Sequence, residues 1–276
     1  MYRDPSWYEL EYNPRLTVQG YEAYFRRWAE DSKRARESVP YVEDVGYGHG
    51  PKETLDLFVG SKNRALLVFF HGGYWRSFDK RDFSWLAPPL LEQGIGVAVV
   101  NYGLCPDTCL EEIVDQCRRA IAWLYFHRHA YGLSEAPLII SGHSAGGHLT
   151  AEMFATRWPE YGVDPGFIRG GISISGLFDL EPLLLVSVNR DIGLDSERAR
   201  SLSPVYKRPF VDAPLVLAVG ALESTEFHRQ SHLLKAAWPD ICTEVVEVPD
   251  AHHFNVLDSL TDIRSPLWAP LHMVLQ

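Results

Sequence analysis

The chain has 276 residues, of which 46% are hydrophobic, 12% aromatic and 22% charged. This balance excludes a disordered or collagen-like chain, and an α/β unit of ~250 residues can form around one sheet without being split in two. The formal net charge of −10, from 36 acidic and 26 basic side chains, argues against nucleic acid or an anionic membrane as partner, because phosphate binding needs a basic footprint.

The opening Met1-Tyr2-Arg3-Asp4-Pro5-Ser6-Trp7 lacks the apolar core of a secretory signal. The most apolar short run, residues 66–70, is too short to cross a bilayer. A cytoplasmic protein is therefore expected. The first 50 residues are polar and aromatic, with a helix expected over 20–37. They form an N-terminal arm whose aromatics (Trp7, Tyr8, Tyr12, Tyr21, Tyr24) would cover the core, line a site entrance or form a homodimer contact. Residues 54–59 alternate apolar and polar, which reads as a peripheral, half-exposed strand. Runs at 65–70, 97–100, 138–141, 171–174, 215–219 and 244–248 are mostly continuous, as in strands of a parallel sheet covered on both faces.

Helical patterns fall between the strands. In 110–129, Ile113, Cys117, Ala120, Ile121 and Leu124 share one face, with Asp107 or Thr108 as cap and Glu111 and Glu112 in the first turn. Alternating strands and helices predict a doubly wound α/β domain with helices on both faces of a mostly parallel sheet. The segment 177–202 breaks this rhythm. Together with the arm it is expected to drape over the mouth of a site as a small cap, within a single domain spanning 1–276. The four cysteines, Cys105, Cys109, Cys117 and Cys242, are too few and too irregular for a disulfide scaffold. Cys109 and Cys117 are expected as a packed pair on one helix face, not as metal ligands.

Gly142-His143-Ser144-Ala145-Gly146 fits the G-x-S-x-G pattern. It follows a predicted strand and opens a helical run through Leu149, Met153 and Phe154, the strand–turn–helix frame of a nucleophile elbow. Ser144 is the candidate nucleophile. His71-Gly72-Gly73-Tyr74-Trp75 follows the strand 65–70. Backbone N–H groups of Gly72 or Gly73, with that of Ala145, are candidates for an oxyanion hole. His71 is expected to brace the loop.

A serine nucleophile needs a base and an orienting acid, in the order Ser, acid, His. Glu223, after the strand 215–219, is the first choice for the acid, and Glu226 competes with it. Of the adjacent His252 and His253 after the last strand, His253 is preferred as base. The remaining histidines, such as His127, His129, His228 and His232, read as surface or helix residues.

These motifs resemble the α/β-hydrolase superfamily from about Thr54 onward. More closely, His71–Trp75, the elbow with Gly147-His148-Leu149 after it, Gly176–Leu183 and Glu223–Gln230 resemble the kynurenine formamidase (arylformamidase) branch. The resemblance implies hydrolysis of an N-formyl aryl amide, with release of formate in tryptophan breakdown and no cofactor. It implies a triad of Ser144, His253 and an acid falling on Glu223, where the family commonly has Asp.

A small aromatic substrate is implied. Tyr74, Trp75, Tyr102 and Phe178 are expected as its walls, and His143 is grouped with them as substrate-binding. General carboxylesterases share the branch, so cleavage of small aryl or alkyl esters is the alternative. A ligand-binding protein on an inactive scaffold is a third reading.

Overall fold

The computed structural model of the protein describes residues 4–61, 63–133 and 136–274. Its strands are β1 (Val42–Gly46), β2 (Thr54–Phe58), β3 (Ala65–Phe70), β4 (Ile95–Val100), β5 (Leu138–His143), β6 (Ile168–Ile174), β7 (Leu215–Gly220) and β8 (Val245–Val248). Among the described residues the helices are α1 (Pro5–Tyr12), α2 (Pro14–Thr17), α3 (Glu22–Ser38), α4 (Ala87–Glu92), α5 (Leu110–His127), α6 (Ala145–Ala155), α7 (Asn189–Ile192), α8 (Ser196–Ser201), α9 (Thr225–Ala237) and α10 (Trp268–Val274).

The strands form one sheet in the order β1-β2-β4-β3-β5-β6-β7-β8. Pairings β1/β2 and β2/β4 are antiparallel, and the rest are parallel. The continuous apolar runs follow from burial on both faces. In β3, Leu66, Val68 and Phe70 belong to a core shared with Ile113, Cys117 and Ile121 of α5 and Leu149 of α6. Its alternate residues Leu67 and Phe69 join a second core with Trp28 of α3, Leu90 of α4 and Trp268 and Leu271 of α10. The doubly wound sheet expected from the sequence is present.

Three expectations differ in detail. β2 is not half-exposed, because Asp56 and Phe58 are as buried as Leu55 and Leu57. Phe58 stacks on Tyr41, and Asp56 is paired with the buried ammonium of Lys80. β1 escaped the sequence reading because its Val-Glu-Asp-Val-Gly is mostly exposed and carries no apolar run. Cys109 and Cys117 do not pack together. Cys109 is the exposed residue that begins α5, without a side-chain capping bond, while Cys117 is buried. Asp107 and Thr108 therefore lie before the cap rather than at it.

Register sets the site. Phe70 of β3 pairs with Val100 of β4 and Gly142 of β5, His143 with Ile174 of β6, and Gly220 of β7 with Val248 of β8. The loops leaving β3, β5, β6, β7 and β8 therefore emerge along one carboxyl edge. Ligands of open α/β sheets bind at such an edge, where the winding direction reverses; here that is between β3 and β5.

Candidate active site

The elbow is built by close backbone contacts. Ser144 has φ 56° and ψ −116°, a backbone conformation that costs a non-glycine residue of order 1–3 kcal/mol. Its N–H donates to the carbonyl of Ile174 at 2.8 Å, tying the turn to β6. A Cβ on Gly142 would lie 2.1 Å from the carbonyl oxygen of Gly146, and one on Gly146 would lie 1.9 Å from that of Phe70. Both positions require glycine for α6 to approach β3 and β5. Ala145 is the first residue of α6, so its N–H has no acceptor within the helix.

The loop after β3 approaches this turn. A Cβ on Gly72 would fall 2.9 Å from the carbonyl oxygen of His143 and 3.2 Å from the Cβ of Ser144. Gly73 has φ 103°, and Tyr74, Trp75 and Phe78 also have positive φ. His71 is buried, as a bracing residue would be. Its Nδ1 lies 2.8 Å from the carbonyl oxygen of Gly72, and its ring stacks on Tyr102 at 4.2 Å. The Tyr102 hydroxyl donates to the His71 carbonyl at 2.6 Å. Burial pushes the His71 imidazole down to about 4, so it is neutral at pH 7.

Across the site, Nδ1–H of His253 donates to Oε2 of Glu223 at 2.6 Å. The other carboxylate oxygen accepts from the Ser175 hydroxyl and, at 2.7 Å, from the Gly220 N–H. The Glu223 side chain is fully buried. With Nδ1 donating to a carboxylate, Nε2 of His253 is left as the free acceptor of the neutral ring. The ring of His253 is held between Phe227 (4.4 Å), His143 (4.8 Å) and Phe254 (5.6 Å). His143 donates from Nε2 to the His253 carbonyl at 2.8 Å. Burial, reinforced by His253, holds His143 well below the ordinary histidine range.

Glu226 is occupied elsewhere. It accepts from the Tyr12 hydroxyl at 2.5 Å and from Nε of Arg229 at 2.8 Å. Gln230 completes this cluster: it donates to Tyr12, and its Oε1 accepts the N–H groups of Phe178 and Asp179. Of the two acids that the sequence left in competition, Glu223 is the one bonded to His253.

Ser144, His253, Gly72 and Gly73 line one cavity of about 160 Å³. Its apolar wall comes from Phe25 and Trp28 of α3, from Phe78 and Phe83, and from Phe254. Tyr12, Asn13, Pro14 and Arg15 of the arm and Val186, Ser187 and Val188 of the 177–202 segment also line it. Of the expected substrate residues, Tyr74 and His143 line the cavity and Trp75, Tyr102 and Phe178 do not. Tyr74 and Trp75 both have positive φ, and their rings meet edge-on at 6.1 Å, but they have different outer partners. The Tyr74 hydroxyl donates to the Tyr12 carbonyl, while Trp75 is fully buried edge-on against His148. Tyr102 lies behind His71, and Phe178 packs close to Gly176. The arm and α3 supply walls that no local motif announced, although Phe25 and Trp28 sit at the i, i+3 spacing of one helix face. Among the described residues no group of three or more His, Cys, Asp or Glu side chains is placed to hold a metal ion.

Comparison with known proteins places this geometry. The BD-FAE family model matches residues 55–163. A kynurenine formamidase of Salmo salar is 32% identical over 245 residues, covering 84% of this chain and 81% of that protein. One from Danio rerio is 31% identical over 273 residues, covering 92% and 90%. The chain belongs to the kynurenine formamidase family. A solved structure of a proposed thioesterase from Silicibacter sp. TM1040 superposes with a TM-score of 0.84 at 34% identity, over 95% of this chain and 97% of that one. The fold is that of the α/β hydrolases, and the family places the chain among hydrolases of amide or ester bonds.

Proposed function

We propose that the protein is a serine hydrolase that cleaves an N-formyl aryl amide of the N-formylkynurenine type. The observation that carries this reading is the buried Glu223–His253 pair facing the cavity that Ser144 lines from a strained turn. In the proposed cycle, Ser144 Oγ attacks the carbonyl carbon while His253 Nε2 takes its proton. Glu223 holds the imidazole in the required tautomer and offsets the charge of the imidazolium. N–H groups of Gly72, Gly73 and Ala145 receive the oxyanion. The tetrahedral intermediate collapses as His253 returns the proton to the departing arylamine nitrogen. Water, deprotonated by His253, then attacks the formyl-enzyme, and formate leaves with Ser144 restored.

The small acyl part suits the crowded ground beside Ser144, where Gly72 approaches closely. The arylamine part suits the walls of Phe25, Trp28, Phe78 and Phe254. The test compares kcat/KM on N-formylkynurenine with that on p-nitrophenyl acetate, since specificity is the ratio of these values. A ratio well above one supports the amidase, and a ratio well below one assigns a carboxylesterase. Ser144→Ala is expected to lower kcat on either substrate at least ~10³-fold while leaving the fold intact. A variant with near-native turnover excludes Ser144 as nucleophile.

A further inference from the structure

The protein is acidic overall, yet its candidate active-site cavity is not. Two arginines, Arg15 and Arg76, line that cavity, and no aspartate or glutamate does among the described residues. Against 36 acidic and 26 basic side chains in the chain, this reverses the sign of the charge where a substrate would enter. The two cations differ. Arg76 is engaged by the carboxylate of Asp191. Arg15, on the short helix α2 of the arm, has no carboxylate within ion-pair distance among the described residues. Its guanidinium lies over the rings of Phe25 (5.4 Å) and Tyr21 (5.8 Å). Phe25 is itself a wall of the cavity, so the charge is held at the rim while its remaining N–H donors are free to meet an incoming group.

We propose that Arg15 selects substrates bearing a carboxylate at the end remote from the scissile bond. A guanidinium presents a rigid fork that fits a carboxylate through two hydrogen bonds, and at a cavity rim it works under weaker screening than on an open surface. The side chain of Asn13 and the hydroxyl of Ser187, which line the same cavity, both donate to the carboxylate of Glu9 (2.9 and 2.8 Å), which does not itself line it, so the negative charge nearest these two residues is already bound by neutral donors. An aryl group against Phe25 and Trp28 and a carboxylate at Arg15 would fix the substrate at two points and leave its labile bond near Ser144. This inference rests on the cavity being the substrate site, but not on the chemistry performed there.

Binding, which needs no turnover, supplies the test. 4-Phenylbutanoate and the uncharged 4-phenylbutan-1-ol are titrated calorimetrically at low ionic strength into the wild-type protein, Arg15→Gln and Arg15→Lys. The carboxylate is expected to bind the wild-type protein about tenfold more tightly than the alcohol. Arg15→Gln is expected to reduce that preference to about twofold, and Arg15→Lys to retain part of it. Added salt to ~0.5 M should shrink the wild-type preference, because the pair sits at a solvent-facing rim. Equal wild-type affinity for the two ligands, or a preference unchanged by Arg15→Gln, overturns the proposal. A preference that survives Arg15→Gln and vanishes in Arg76→Gln overturns it as well, by assigning selection to the other arginine. These results are independent of the amide-against-ester comparison, so either conclusion can fail without the other.

Discussion

At the residue scale, the two candidate acids differ in what surrounds them. Glu223 meets His253 on one oxygen and two donors on the other, whereas Glu226 is bound by Tyr12 and Arg229. Glu223→Gln keeps the volume and loses the charge that fixes the His253 tautomer. It is expected to lower kcat by ~10³–10⁴-fold with little change in KM. Glu226→Gln is expected to lower kcat far less and to destabilise the fold by ~1–3 kcal/mol, because it disturbs a buried cluster. Steady-state kinetics and urea unfolding of both variants distinguish these effects. A larger kcat loss in Glu226→Gln reverses the assignment. That Ser144 and His253 would come to one cavity was legible because each sits in a short local pattern after a strand. Choosing between the acids needed Tyr12, whose partner Glu226 is 214 positions away. No spacing rule reaches that far.

At the scale of elements, the strands and the elbow were legible because burial on two faces imposes continuous apolar runs and close helix approach imposes glycine. What escaped was set by long-range charge pairing. Asp56 looked like the solvent-facing side of an alternating strand. It is buried because Lys80 is buried with it, a pair that also engages Asp44 at 2.7 Å. Likewise, α1 is placed by carboxylates that reach distant backbone. Glu11 accepts the N–H of Glu226 and the hydroxyl of Thr225 at the start of α9, and Glu9 accepts the N–H and hydroxyl of Ser187. These contacts bring Tyr12 to Arg15 over the cavity. The elbow permits a sharper test. Gly146→Ala would put a Cβ 1.9 Å from the Phe70 carbonyl oxygen, whereas nothing lies within 4 Å of the position at Gly46. Gly146→Ala is expected to cost at least ~3 kcal/mol or to yield no folded protein, and Gly46→Ala to stay within about 0.5 kcal/mol. Comparable midpoints in urea for the two variants would show that α6 can retreat from β3 at little cost.

At the scale of the whole molecule, the sheet buries histidines that must stay neutral, and this sets the acid stability. Burial pushes His71 down to about 4 and His148 down to about 3, and holds His143 well below the ordinary value of 6.5. Below 6.5 the unfolded chain takes up these protons and the folded chain does not, so stability falls as pH falls until the folded-state values are reached. By linkage, each of His71 and His148 lowers stability by roughly 2 kcal/mol at pH 5 relative to neutral pH. Glu152 acts in the opposite sense. Burial raises its carboxyl despite Lys207 and Arg118, so it favours the folded state as pH falls. The carboxyls of Asp82 and Asp258 are also raised by burial and act with Glu152, while His252, lowered chiefly by burial, acts with the three histidines. Carboxylates held low, such as Glu9 and Glu53, begin to lose their contribution only below about 4.5. The free energy of unfolding in urea is therefore expected to be ~2–5 kcal/mol smaller at pH 5 than at pH 7. His148→Gln is expected to make that slope shallower, whatever its effect on stability at pH 7, because it removes one proton-linked site. A flat profile between pH 7 and pH 5 would mean that the folded protein protonates these rings, and that the packing around β3 and α6 opens to water at modest acidity.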